Sequence, residues 1–253
     1  MATVFSSYCS LVLKRYRHAC LLLLVIGLLA GCASLSSDRA GLPSASTFTN
    51  LSLPTERNVS HPDSARYASD ERPSYTALIV EASAQMRRSS DTRIYEGQRH
   101  ITFATLWNRD LAYAELEHEI GVGDLSEDTA TDITERHLAQ YDELVRIDIH
   151  TFITRQASDA MRRANFSGPG ARIELRDAYG RTYRAHRVTT STTESYTHAS
   201  GDPGVYYRTN RAYFLRNTEH GDLLDTTSLR LSVRPASSSS QLEFRWQLPT
   251  NQL

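Results

Sequence analysis

A chain of 253 residues with 40% apolar and 23% charged side chains has room for one or two domains with a substantial core. Its formal net charge of -1 excludes a nucleic-acid binder that works through a strong overall positive field, and no nucleic-acid partner is expected. No acidic residue occurs among the first 31 positions, so charge is unevenly placed, and removing that segment leaves 25 basic against 29 acidic side chains.

The first element is "KRYRHACLLLLVIGLLAGC", a basic cluster (Lys14, Arg15, Arg17) followed by an apolar run and small residues. That order is secretory-signal architecture. Leu21 to Ala30 forms about 15 Å of helix, short of the roughly 20 residues that span a bilayer. Leu29-Ala30-Gly31-Cys32 resembles the lipobox of bacterial lipoproteins. The resemblance implies a signal peptide over 1–31, cleavage between Gly31 and Cys32, and acyl chains (palmitate among them) on Cys32. It also implies, through Ala33 in place of Asp, a periplasm-facing anchor in the outer membrane. The cysteines are Cys9, Cys20 and Cys32, so cleavage there leaves one and no internal disulfide. Lys14 is the only lysine, and the arginines after it are spread widely enough to read as compositional bias rather than a phosphate site.

Residues 32–74 are dense in Ser, Thr and Pro without an apolar period, and the composition predicts a flexible, disordered linker reaching on the order of 35 Å. A folded domain is expected over 75–253. "SYTALIVEASAQMRR" places Leu78, Ile79, Ala82 and Met86 at helical spacing behind a Ser74 cap. "HITFATLW" alternates as a strand with Ile101, Phe103, Thr105 and Trp107 on one face. Asn108 caps a helix ending near Gly121. A second helix from Ser126 carries the stripe Ala130, Ile133, His137, Leu138 and Tyr141. The pair reads as a helical insertion over 108–142.

Downstream, "VRIDIHTFI" predicts a strand with Val145, Ile147, Ile149 and Ile153 inward and Arg146, Asp148 and His150 outward. "ARIELRDAYGRTYRAHRV" predicts a hairpin turning at Asp177 to Gly180, and "AYFLRN", "SLRLSVR" and "QLEFRWQL" predict three closing strands. The fold class is therefore mainly β, an antiparallel β-sandwich (Ig-like or related) with a helical insertion. Its order of elements also resembles uncharacterised bacterial envelope lipoproteins, a likeness that implies no activity.

Candidate sites are sparse. Glu115, His118 and Glu119 share a helix face and form a metal candidate, with Asp132 and His137 on the next helix. Only one E-x-x-H motif is present, so a solvated charged face is the simpler reading and no metal or cofactor is expected. Asp148 and His150 could pair as acid and base, but Arg146 beside them makes an exposed salt-bridged strand the expectation. "NFSGPG" around Ser167 lacks nucleophile-elbow glycines and reads as a tight loop. Tyr206 and Tyr207 in "SGDPGVYYR" are binding candidates on a loop. The leading functional expectation is a non-enzymatic, lipid-anchored envelope protein that serves as a binding or structural module, attached to the membrane through Cys32. An envelope-protein partner follows from the alternative of an assembly factor for an envelope or secretion complex. A periplasmic hydrolase with scattered catalytic residues is the other alternative.

Overall fold

The computed structural model describes residues 53–68, 70–88, 100–123, 127–154, 165–192, 194–196, 205–236 and 241–249. The chain divides into two compact units, Met1–Ala40 and Gly41–Leu253, and every described residue belongs to the second. Gly31, Cys32 and the expected signal peptide lie outside the described residues.

The second unit is an antiparallel β-sandwich with a helical insertion. Its outer sheet runs β1 (Glu56–Asn58), β14 (Leu242–Gln247), β13 (Ser228–Arg234), β6 (Arg172–Asp177) and β7 (Thr182–Arg184), with β3 (Arg87–Arg88) also on β14. The central sheet runs β2 (Ser83–Gln85), β4 (His100–Leu106), β5 (Leu144–Thr154), β10 (Val205–Leu215) and β8 (Arg187–Thr190), with β9 (Glu194–Tyr196) also on β10. A two-strand ribbon of β11 (Asn217–Thr218) and β12 (Gly221–Asp222) precedes β13. Every pairing is antiparallel except that of β1 with β14. Three helices complete the unit: α1 (Tyr75–Ala82), α2 (Arg109–Gly123) and α3 (Glu127–Glu143). Among the described residues no helix is long and apolar enough to cross a membrane.

Alternation builds the core between the sheets. Val145, Ile147 and Ile149 of β5, with Ala212 and Phe214 of β10, face Ile173 and Leu175 of β6, Leu229, Leu231 and Val233 of β13, and Phe244 and Trp246 of β14. All are buried, and each large apolar side chain removed from water contributes on the order of 1.5–3 kcal/mol. The expected hairpin forms from β6 and β7. Its turn is tied by Asp177, whose Oδ1 accepts the backbone N–H groups of Tyr179 and Arg181 at 2.9 Å each. Gly180 sits there at φ 84°, a backbone region that side chains disfavour. The loop around Ser167 is a turn as expected, with Asn165 Oδ1 accepting both the Ser167 N–H and its hydroxyl.

A second core lies on the other face of the central sheet. Leu78, Ile79 and Ala82 of α1 and Leu111 and Ala112 of α2 pack on Phe103, Phe152, Tyr207 and Trp107. The insertion between β4 and β5 thus roofs the sheet, giving three layers in the order helices, central sheet, outer sheet. The caps of α1 and α2 follow the residues expected of them. Asn108 Oδ1 accepts the Leu111 N–H at 2.9 Å, and Ser74 Oγ accepts the Ala77 N–H at 3.3 Å. On α3 the stripe of Ala130, Ile133, His137, Leu138 and Tyr141 is half-buried, as its spacing requires.

Two expectations need correction. The helical spacing that reached Met86 stops at Ala82, because Ser83, Ala84 and Gln85 pair with Thr105, Ala104 and Phe103 of β4. Sheet hydrogen bonding overrides a local period there. The linker, read as extending to residue 74, gives way to folded chain by Leu53. That side chain is buried, β1 joins the outer sheet, and Arg57 donates to the Glu81 and Val80 carbonyls at the end of α1 (2.6 and 2.5 Å). Asp63 pairs with Arg216 at 2.7 Å, which ties the same segment to the β10–β11 junction. Both cores close within residues 53–249, so the second unit contains the contacts that hold it folded.

Candidate functional site

The face of β5 expected to meet solvent is instead the most polar interior of the molecule. Arg146 is sandwiched there. Its guanidinium donates to Asp148 (2.9 and 2.7 Å) and to Glu115 of α2 (2.7 and 3.1 Å), and lies 3.5 Å from the centre of the Trp107 ring. Arg211 of β10 approaches the same carboxylates at 3.6 and 3.7 Å, and His137 of α3 approaches Glu115 at 3.5 Å. Two arginines therefore balance two carboxylates, and α2, α3, β5 and β10 meet at Glu115. Burial opposes charge on Arg146, but Asp148 and then Glu115 outweigh it and hold the guanidinium firmly protonated. Burial would likewise raise the Asp148 carboxyl, and Arg146 overrides it and keeps the group below the ordinary carboxylate range.

His150, two residues further along the same face, is buried in an aromatic stack. Its ring lies 4.8 Å from Phe103 and 6.1 Å from Tyr207, and its Nδ1 is 3.0 Å from the Tyr207 hydroxyl. Thr209 completes the group through a short hydrogen bond to that hydroxyl. Burial pushes the imidazole down to about 4; Asp148 pulls it upward, and the two arginines press it down further. The ring is neutral at physiological pH and has no route to act as an acid there.

The metal reading of the insertion is not assembled. Glu115 is committed to Arg146, Asp132 is exposed, and the side chains of His118 and Glu119 lie outside the described residues. Among the described residues no group of three or more metal-ligating side chains converges. The tyrosine reading is corrected by β10, which already begins at Val205. Tyr207 is only 2% exposed under the helical roof and packs on Phe152 at 4.7 Å, while Tyr206 is half-buried. Strand pairing on both sides of β10, with β5 and β9, turns an apparent loop into sheet.

Among the described residues an open cleft lies elsewhere. A cleft of about 470 Å³ lies where the segment after β1 meets the end of α1 and the start of α2, with His61, Ser64, Arg66, Glu81 and Asn108 on its walls. Arg66 pairs with Glu81 at 2.5 Å, and this bond is the leading cause that holds the Glu81 carboxyl below its usual value. The Arg66 backbone N–H also donates to the buried Asp110 carboxylate at 3.1 and 3.2 Å, fixing the wall to α2. His61 Nδ1 accepts the Asp63 N–H at 3.3 Å, which leaves the proton on Nε2, a buried donor with no partner among the described residues. The cleft can hold a small polar group through donors on several walls. Sequence reasoning passed over it because one wall, Asn58 to Arg66, falls in the stretch read as linker, and the other walls come from distant parts of the chain. Comparison with family models, with curated proteins and with solved structures found no match for this chain.

Proposed function

We propose that this chain is a lipid-anchored cell-envelope protein, held on the periplasmic side of the outer membrane through Cys32, whose sandwich works as a binding module. The observation that carries the reading is the ordered run of basic cluster, short apolar segment and Leu29-Ala30-Gly31-Cys32. Two or more acyl chains on one cysteine make attachment effectively permanent, so everything after the anchor works within reach of the bilayer. The geometry favours binding over hydrolysis. Glu115 and Asp148 are saturated by guanidinium groups, and His150 is sealed in an aromatic stack. Among the described residues a polar cleft and the outer face of the outer sheet stay accessible.

The test is metabolic labelling with a tagged fatty acid in a bacterial host. The unaltered chain is expected to take up label and to lose its first segment. Cys32→Ser is expected to abolish the label and to leave uncleaved precursor, and continued labelling of that variant would overturn the assignment.

A further inference from the structure

The outer sheet has one face in the apolar core and one in solvent, and the solvent face is lined with arginine. Register places Arg176 of β6, Arg230 of β13 and Arg245 of β14 directly side by side in one row across three strands. Arg172 and Arg234 form a second adjacent pair, and Arg184 of β7 lies opposite Glu174. Six arginines thus share the face with three glutamates: Glu56, Glu174 and Glu243. Glu243 is shared, lying 2.6 Å from Arg245 and 3.9 Å from Arg230, and Glu174 is 3.9 Å from an Arg184 that is 82% exposed. Arg176 donates only to the Thr182 hydroxyl, at 3.3 Å, among the bonds of the described residues.

Like charges set directly opposite on a sheet destabilise the pairing, so a row of three arginines costs the fold something that the shared Glu243 returns only in part. Meanwhile the far layer has the opposite sign. The exposed side of α3 carries Asp128, Asp132, Glu135, Asp142 and Glu143 against Arg136. A chain that is slightly acidic overall is therefore polarised across its three layers, with the positive end on the solvent face of the outer sheet. Arginines spread over four adjacent strands suit an extended surface better than a threaded ligand, and guanidinium forks match phosphate oxygens in pairs.

We infer that this arginine face docks on an anionic lipid surface, with the sheet lying along the headgroup phosphates and the acidic helices turned away. The inference rests on the anchoring proposed above. Two further features point to a bilayer. The chain coming from Cys32 enters the sandwich at β1, on the edge of this same sheet, where Glu56 neighbours Arg245. At the end of the β6–β7 hairpin Tyr179 is 69% exposed with Arg181 over its ring at 4.5 Å, an amphipathic pair of the kind that sits at a membrane–water boundary. Electrostatic docking of this sort fades over a Debye length, about 8 Å at physiological salt, so the anchor must bring the face close before it can engage.

The test uses residues 41–253, which hold both cores and lack Cys32, so its outcome does not depend on lipidation. Co-sedimentation is measured with vesicles of phosphatidylcholine alone and of phosphatidylcholine mixed with phosphatidylglycerol, at low and physiological salt. Binding is expected only with the anionic vesicles and is expected to weaken as salt rises. The triple variant Arg176→Gln, Arg230→Gln, Arg245→Gln is expected to lose at least about tenfold in binding. Its melting temperature should stay level or rise, because the like-charge row is gone. A control, Asp128→Asn with Asp132→Asn on the opposite layer, is expected to keep or strengthen binding. Equal binding to neutral vesicles, no binding to either, or full binding by the folded triple variant would each overturn the inference. Tighter capture by polyglutamate than by anionic vesicles would overturn it as well and assign the face to an acidic protein. A failed labelling experiment alongside retained vesicle binding would instead count against the anchor alone.

Discussion

The two faces of the central sheet come from the same strands and are both covered, yet they are built on different physics. Toward the outer sheet, Ile147, Ile149 and Phe214 fill space with apolar groups that tolerate any pH. Toward the helices, Arg146, Asp148 and His150 alternate with them along β5 and bring charge and a titratable ring into the interior. The first face is stable because water is excluded. The second is stable only while its carboxylates and guanidinium groups remain paired, since a buried charge without its partner is far more costly than the pair is favourable. One strand therefore carries both the least conditional and the most conditional packing in the molecule.

Breaking the charged side should have the largest effect. Arg146→Ala leaves Glu115 and Asp148 facing each other under α2, and denaturant unfolding should show a loss of about 4 kcal/mol. Replacing the trio together (Arg146→Met, Glu115→Leu, Asp148→Leu) should recover most of that loss. If the triple variant is as unstable as the single one, the network does more than balance charge.

Acidity should probe the same face at a second point. The folded state holds His150 down at about 4 against an ordinary 6.5, so in that interval the unfolded chain binds the extra proton. The stabilisation from keeping the ring neutral is complete above 6.5 and is lost as pH falls toward 4, up to about 3 kcal/mol. Asp148, held below the ordinary carboxylate range, adds its own loss at still lower pH. His150→Phe should flatten the stability profile between pH 6.5 and 4 while leaving the lower limb in place. An unchanged profile would mean that His150 titrates freely.

The apolar side should respond least and without regard to pH. Ile147→Val removes one methylene from the core between the sheets and should cost about 1 kcal/mol, equally at neutral and acid pH. A cost that grew on acidification would show that the two faces are coupled through β5.

The contrast also explains what could be read from the residues and what could not. Strict alternation in β14, with Leu242, Phe244 and Trp246 against Glu243 and Arg245, foretold a strand with one wet face, and that is its environment. The same alternation in β5 foretold the same thing and misled. A strand's own pattern cannot reveal whether another element will cover its polar side. The covering helices were visible as an insertion, and their caps at Ser74 and Asn108 followed from residue type alone. Glu115 attracted notice as a metal ligand, yet its partner is an arginine thirty-one positions away, a pairing that helix spacing does not contain. The cleft was hidden for a related reason. Polar composition before residue 75 signals that a segment cannot form a core alone, and β1 needs β14, almost two hundred residues later, before it becomes a strand.

That pairing governs the order in which the domain can be completed. Among the described strands, β1 leaves the ribosome first and β14 last, and β14 stands between β1 and β13 with Trp246 donating to the Ala82 carbonyl of α1 at 3.0 Å. Until β14 arrives, the early segment has no edge to join and Arg57 has no frame from which to cap α1. The helical roof and central sheet can form from earlier chain, but the outer sheet waits for its last strand, which lies between β1 and β13. Loss of the residues from Gln241 onward would open the sandwich from the inside rather than trim it, which makes late truncation a harsher injury here than its length implies.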